Sequence, residues 1–406
     1  MAKSETRNDS YRWVILLCMV PICAITQIFW LTFASISDYV AEYYHVSSFA
    51  IALLSMSYMI TYIVLSIPVS IFVDKKGVRA SLLVGALLTA VFGTMRALVS
   101  SNFYLVVIAQ FGLAVAQPFI VNNTTKIAAT WFPMNQRSTA TGIISMAGYV
   151  GMIVAMVLMP VMVTKMGMTK SLLALAGAGI VTALLVIIFL KEKTDNTYKE
   201  SSRSDETFSF SKLEQIKENK PFVLMLMIML IALGIFNALM TCIGDMFVSR
   251  RITAEQSGIL GGVIIIAGLV GAVLIPMYAD KYGKRQSVIT FSLVVSVVGM
   301  CVLFYAKDYN VLRIASALTG FFMMGVAPVA FELGTELAYP VPEASSYGLL
   351  MQSGNLSSIL FLVLLYGLQS ESGSMAIPLT ILISLMMVGT ILSLRLREEK
   401  IQQLAR

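Results

Sequence analysis

Eight side chains that could grip a small molecule interrupt otherwise apolar runs: Gln27, Trp30, Gln117, Asn122, Asn123, Asn237, Gln352 and Asn355. Their chemistry is recognition, not bond breaking. An indole face attracts an ammonium group by about 0.5 to 2 kcal/mol, and more once water is excluded. Primary amides offer a carbonyl acceptor and two N–H donors, so they suit either a neutral or a cationic guest. No Ser, His and acid constellation suggests a nucleophile, and neither GxGxxG nor a Walker sequence suggests a nucleotide. No cysteine and histidine grouping suggests a metal, so no cofactor is expected and the chain is not read as an enzyme. The single histidine, His45, follows the first apolar run and is expected at a surface or interface. The clear ionisable residues beside the apolar runs, Arg96, Asp245, Arg313, Glu332, Glu336 and Glu343, all fall near predicted helix ends. A fixed central cation for an organic anion, or a buried acid for proton coupling, is therefore not expected.

The elements that must carry these residues are membrane helices. The chain has 406 residues, of which 58% are hydrophobic and only 13% charged. With a mean hydropathy of +0.83, this composition excludes a globule with an ordinary charged surface. A bilayer core about 30 Å thick needs roughly 20 apolar residues per helix. Twelve such stretches lie near 13 to 34, 48 to 72, 79 to 99, 102 to 125, 137 to 161, 170 to 190, 221 to 244, 256 to 278, 285 to 305, 309 to 332, 343 to 367 and 374 to 395. Cys18, Cys23, Cys242 and Cys301 fall inside these runs and are expected to pack rather than pair. The polar start, Met1 to Ser10, reads as a cytoplasmic tail before an uncleaved first helix.

The formal charge of +7 does not form one basic patch, so nucleic acid is not expected as a partner. Lys and Arg instead collect in particular loops. Lys3, Arg7 and Arg12, then Lys75, Lys76 and Arg79, then Lys281, Lys284 and Arg285, then Arg395, Arg397 and Lys400 place both termini in the cytoplasm. The plasma membrane of a prokaryote is the expected location, and a monomer is expected. The longest polar stretch, residues 191 to 220, reads as a solvated linker between a bundle at 1 to 190 and another at 221 to 406. Each half carries the same short break, D-x-x-G-x-R, between its second and third apolar runs. The copies are Asp74, Gly77 and Arg79, and Asp280, Gly283 and Arg285. Two copies point to a chain built twice from one plan. Gly142, Gly148 and Gly151, with Gly261, Gly262, Gly268 and Gly271, are expected to permit close helix contact.

Six helices, a charged linker, six more helices and the repeated loop resemble the major facilitator superfamily. The loops depart from its signature four positions before the acid, where Ser70 and Pro276 stand. Three further stretches, YYHVSSFAIALLSMSYMITY from Tyr43, QPFIVNNTTKIAATWF from Gln117 and FELGTELAYPVPEASSYGLL from Phe331, are similar to the feline-leukaemia-virus-subgroup-C-receptor-related family. Animal members of that family have been linked to choline, ethanolamine and haem. The resemblance implies an all-α membrane fold of two six-helix bundles and movement of a small organic solute by alternating access. It also implies a site near the bilayer midplane, lined by helices 1, 4, 7 and 10 with help from 2, 5, 8 and 11. Trp30 and Gln117 align with the family's ammonium-holding tryptophan and glutamine, whereas Asn237 and Asn355 stand where a tyrosine and a glutamine are aligned. The loop residues are implied to act as a cytoplasmic gate, with Glu343 in the first turn of helix 11 available to pair with their Arg or Lys. Haem, or another amphipathic molecule, is the alternative cargo; a membrane sensor without transport is the alternative role.

Overall fold

The computed structural model describes residues 2–132, 137–191, 219–250, 252–282, 284–338, 343–370 and 375–396. Most of the 191 to 220 linker and all of Gly283 therefore lie outside the described residues. Among the described residues, twelve helices are long and apolar enough to cross a membrane. They are α1 (Tyr11–Tyr44), α2 (Ser48–Val73), α3 (Lys75–Leu98), α4 (Phe103–Val121), α5 (Ala140–Met166) and α6 (Met168–Phe189), then α7 (Lys220–Thr241), α8 (Ala254–Ala279), α9 (Arg285–Tyr305), α10 (Tyr309–Leu337), α11 (Ser346–Gly367) and α12 (Ala376–Ser393). At about 1.5 Å per residue, even α12, with 18 residues, nearly matches the hydrocarbon core.

Local chemistry starts these helices where the chain needs them. The side chains of Ser47, Asn102, Asn219 and Asp308 accept hydrogen bonds from backbone N–H groups in the first turns of α2, α4, α7 and α10. α2 and α3 form one helix from Ser48 to Leu98, interrupted only at Gly77, whose φ of 88° and ψ of 165° suit a residue without a Cβ. That is the turn expected of the first D-x-x-G-x-R copy. Many large apolar side chains, among them Leu17, Val64, Leu98, Ile188, Met277 and Leu360, are exposed, as lipid-facing residues must be. Cys18, Cys23 and Cys242 are buried without disulfides, in keeping with a packing role.

Two compact units divide the chain, Met1–Ser204 and Asp205–Arg406. Inside the first, α1 packs on α5 and α6, while the continuous α2–α3 helix packs on α4 and α6. Inside the second, α7 packs on α11 and α12, α8 on α10, and α9 on α10 and α12. The pairing scheme recurs, so the repeated loop reflects repeated architecture.

Two helices are longer and less regular than expected. The first apolar run was expected near 13 to 34, but α1 continues to Tyr44 through a break. Its first helix ends at Leu31, a 3-10 turn covers Ala34–Ile36, and a short helix covers Ser37–Tyr44. In the second unit, α10 divides at Val326 into Tyr309–Gly325 and Ala327–Leu337.

Candidate functional site

Gln27 and Trp30 are three residues apart on α1 and share one face of the helix. Glycines let α5 approach that face. A Cβ on Gly151 would lie 2.2 Å from the Ala24 carbonyl oxygen, and one on Gly148 would touch the Gln27 side chain at 3.4 Å. Gly142, by contrast, has no such neighbour among the described residues. Gln27 and Trp30 are each partly exposed, yet the Gln27 Oε1 and the Trp30 Nε1–H are buried without a partner among the described residues. Leaving such groups unsatisfied costs about 1 to 3 kcal/mol each.

Directly after Trp30 the helix breaks, and carbonyls near it lose their usual N–H partners. Side chains replace them. Thr32 Oγ1 donates to the Ile28 carbonyl at 2.7 Å, and Ser55 Oγ of α2 donates to the Trp30 carbonyl at 3.3 Å. The Phe29 carbonyl receives two donors, Arg96 Nη1 at 3.3 Å and Gln110 Nε2 at 3.0 Å.

Arg96 is the residue whose burial the sequence did not reveal. It lies near the end of α3, as expected, but its side chain is only 1% exposed and turns inward. Its guanidinium also donates to Gln110 Oε1 at 2.7 Å and to Thr32 Oγ1 at 3.3 Å. The Phe29 and Phe33 rings flank it, with centroids 4.7 and 5.3 Å from Cζ. Desolvating such a charge costs several kcal/mol, which charge-assisted hydrogen bonds of about 1.5 to 3 kcal/mol each and cation–π contacts offset. No carboxylate is among its partners in the described residues. Arg96 thus stands near a helix end, as expected, with a buried side chain that the sequence reading did not include. Its signal was Gln110, a second amide in the apolar run of α4 seven residues before Gln117.

The three amides first singled out on α4 have different situations. Gln117 is partly exposed and makes no hydrogen bond among the described residues. Asn122 is occupied: its amide nitrogen donates to the Ser66 carbonyl and to Ser70 Oγ, both at 3.1 Å, and its oxygen accepts from Tyr62 at 3.0 Å. Asn123 is fully buried and donates to Ser81 Oγ and the Phe119 carbonyl. These bonds tie the end of α4 to α2 and α3.

In the second unit, α7 and α11 approach closely. A Cβ on Gly234 would lie 2.2 Å from Ser357 Oγ, one on Gly354 would lie 2.6 Å from Leu233 Cβ, and Ser357 donates to the Leu230 carbonyl at 2.6 Å. Asn237, Gln352 and Asn355 are partly exposed on these two helices. The Gln352 Oε1 is buried without a partner among the described residues. Just beyond α7, Asp245 is 2% exposed and accepts a hydrogen bond from the Tyr366 hydroxyl. Asp245 stands near a helix end, as expected, and the sequence reading did not include its burial. His45, as expected, is exposed; it closes the short helix after the α1 break with a φ of 53°.

The loop residues separate into those the structure describes and those it does not. Arg79 is exposed. The side chains of Asp74, Asp280 and Glu343 lie outside the described residues, as does Gly283. Glu343 is the first residue of its helix, as expected. An Arg or Lys of the two loops was expected to be available to Glu343, whose side chain lies outside the described residues; Arg285 pairs with Glu332 at 2.8 Å and Glu336 at 2.6 Å on the last turns of α10. Those two acids sit four residues apart, so one face of α10 presents both carboxylates to the guanidinium.

Known proteins are similar to this chain in sequence and in fold. The family described as Major Facilitator Superfamily matches residues 17–362. The choline/ethanolamine transporter flvcr2b of Danio rerio is 29% identical over 99% of this chain and 87% of its own. The choline/ethanolamine transporter FLVCR2 of Homo sapiens is 28% identical over 87% of this chain and 71% of its own. A crystal structure of a D-xylose-proton symporter superposes with a TM-score of 0.74 over 95% of this chain and 98% of its own at 12% identity, a likeness of fold alone. Twelve spans, a pairing scheme used twice and a family match across most of the length agree: this multi-pass membrane protein belongs to the Major Facilitator Superfamily.

Proposed function

We propose that the protein moves a small amine of the choline or ethanolamine class by alternating access, with Trp30 holding the ammonium group. The observation that carries this reading is the face of α1 on which a partly exposed indole and the Gln27 amide keep polar atoms that have no partner among the described residues. Gln117 completes the set in the first unit, being partly exposed and without a hydrogen bond among the described residues. In the second unit, Asn237, Gln352 and Asn355 are assigned the same task. Asn122 belongs to the scaffold, since three partners already use its amide. Relatives named as choline/ethanolamine transporters support the substrate class.

One term opposes it. At an assumed separation of roughly 10 Å and an effective dielectric of about 20, the Arg96 charge would repel an ammonium by about 1.7 kcal/mol, similar to the cation–π gain. The amide oxygens must therefore contribute to binding. Asn237 and Asn355 would favour a guest with hydroxyl or N–H groups over one that is purely methylated, because amides reward hydrogen bonding. The basic loops support cytoplasmic termini, and a monomer is the assembly we assign; the animal relatives bring no support for a prokaryotic plasma membrane.

Uptake of choline and ethanolamine into proteoliposomes tests the proposal. Trp30→Ala should raise KM by roughly 2- to 30-fold, the equivalent of about 0.5 to 2 kcal/mol. An unchanged KM for every amine transported would remove Trp30 from the site.

A further inference from the structure

We propose that Arg96 is a positioning residue that holds the broken end of α1 and thereby fixes the Trp30 ring for its solute, an assignment that rests on the amine reading above. The geometry is specific to a planar, forked donor. Arg96 Nη1 spans the Phe29 carbonyl at 3.3 Å and Gln110 Oε1 at 2.7 Å, while Nη2 reaches Thr32 Oγ1 at 3.3 Å. These contacts bracket Trp30 in the chain, with Phe29 on one side and Thr32 on the other. Gln110 locks the same point by donating to the Phe29 carbonyl at 3.0 Å. α3 and α4 thus hold the Phe29 carbonyl on one side of the indole and α3 the Thr32 hydroxyl on the other, while α2 holds the Trp30 carbonyl itself through Ser55.

A guanidinium is not required merely to fill this space. A methionine would pack beside Phe29 and Phe33 without the cost of desolvating a charge, and a lysine would supply charge without the fork. What only arginine offers is simultaneous bonding to a carbonyl, an amide oxygen and a hydroxyl with fixed angles between them. If the residue acted through charge alone, the neutral variant would bind an ammonium more tightly. If it positions the break, loss of the fork weakens binding whether or not the charge remains.

The test uses the full chain with Trp13→Phe and Trp131→Phe, so that Trp30 is the one remaining tryptophan. In this background Arg96→Lys, Arg96→Met and Gln110→Met are compared, the last keeping Arg96 in place should its own variants fail to fold. Acrylamide quenching of Trp30 emission without solute reads the ring directly, and choline uptake reads KM against kcat. Each variant should at least double the quenching constant and raise KM for choline about 5- to 20-fold, with kcat within about 3-fold. Unchanged quenching and KM in folded Gln110→Met and Arg96→Lys, or a lower KM in Arg96→Met, would overturn the positioning role while leaving the amine reading intact. Changed quenching in a protein whose parent background moves no choline would instead overturn the amine reading, and with it the role assigned to Arg96 in holding the solute.

Discussion

The α2–α4 contact of the first unit and the α8–α10 contact of the second hold corresponding places in the pairing scheme, yet different forces set them. In the first, Tyr62, Ser66 and Ser70 on α2 converge on Asn122 at the end of α4. In the second, glycines bring backbone against backbone: a Cβ on Gly320 would lie 1.9 Å from the Ile264 carbonyl oxygen, and one on Gly271 would lie 2.0 Å from that of Phe321. Hydrogen bonds define direction and tolerate a small change in separation. Backbone contact defines separation and tolerates almost none. The same plan has thus been stabilised once by polar specificity and once by shape.

The largest effect should come from filling the steric contact. Gly320→Ala forces α8 and α10 apart and should cost about 3 kcal/mol, at the upper end for overpacking, read as a large fall in melting temperature of the detergent-solubilised protein. A wild-type melting temperature would mean that α10 can slide without penalty, and the contrast would fail. Asn122→Leu should be milder, about 1 to 3 kcal/mol, because it removes the amide while leaving Tyr62 and two serines that retain other options. A loss larger than that of Gly320→Ala would reverse the ranking of the two contacts. Smallest of all should be Glu332→Gln with Glu336→Gln, which removes two exposed partners of Arg285. These pairs are worth about 0.2 to 1 kcal/mol each, and the difference from wild type should shrink further as salt is raised. A salt-independent loss would show that Arg285 works in some other way.

Much of the fold was legible because each span is a long apolar run closed by polar residues, a pattern the bilayer imposes with few alternatives. The first loop glycine was legible for a similar reason: Gly77 separates two such runs, and its positive φ follows from the need to turn there. The break in α1 was not. Residues 29 to 37 read FWLTFASIS, without proline or glycine, and hydropathy passes over them as continuous helix. The break is stabilised by donors from Ser55, Arg96 and Gln110, far along the chain, which no local pattern reports. Asn122 was selected for the property that makes it structural, since an amide in an apolar run signals a required hydrogen bond without saying whether protein or solute supplies it. Arg285 shows the same limit: the region around the end of α10 is rich in acids, and the sequence does not say that one helix face brings Glu332 and Glu336 to it.

The inward-turned Arg96 also bears on how the chain is made. Its partners come from α1 and α4, so during synthesis the guanidinium must wait for Gln110 to follow it into the bilayer before its bonds are complete. Until then a membrane-inserted α3 would keep that charge near the headgroups, where its position two residues from the helix end allows it to reach water. Completion of α4 would then release it inward, making the fourth helix a natural checkpoint in biogenesis of the first bundle.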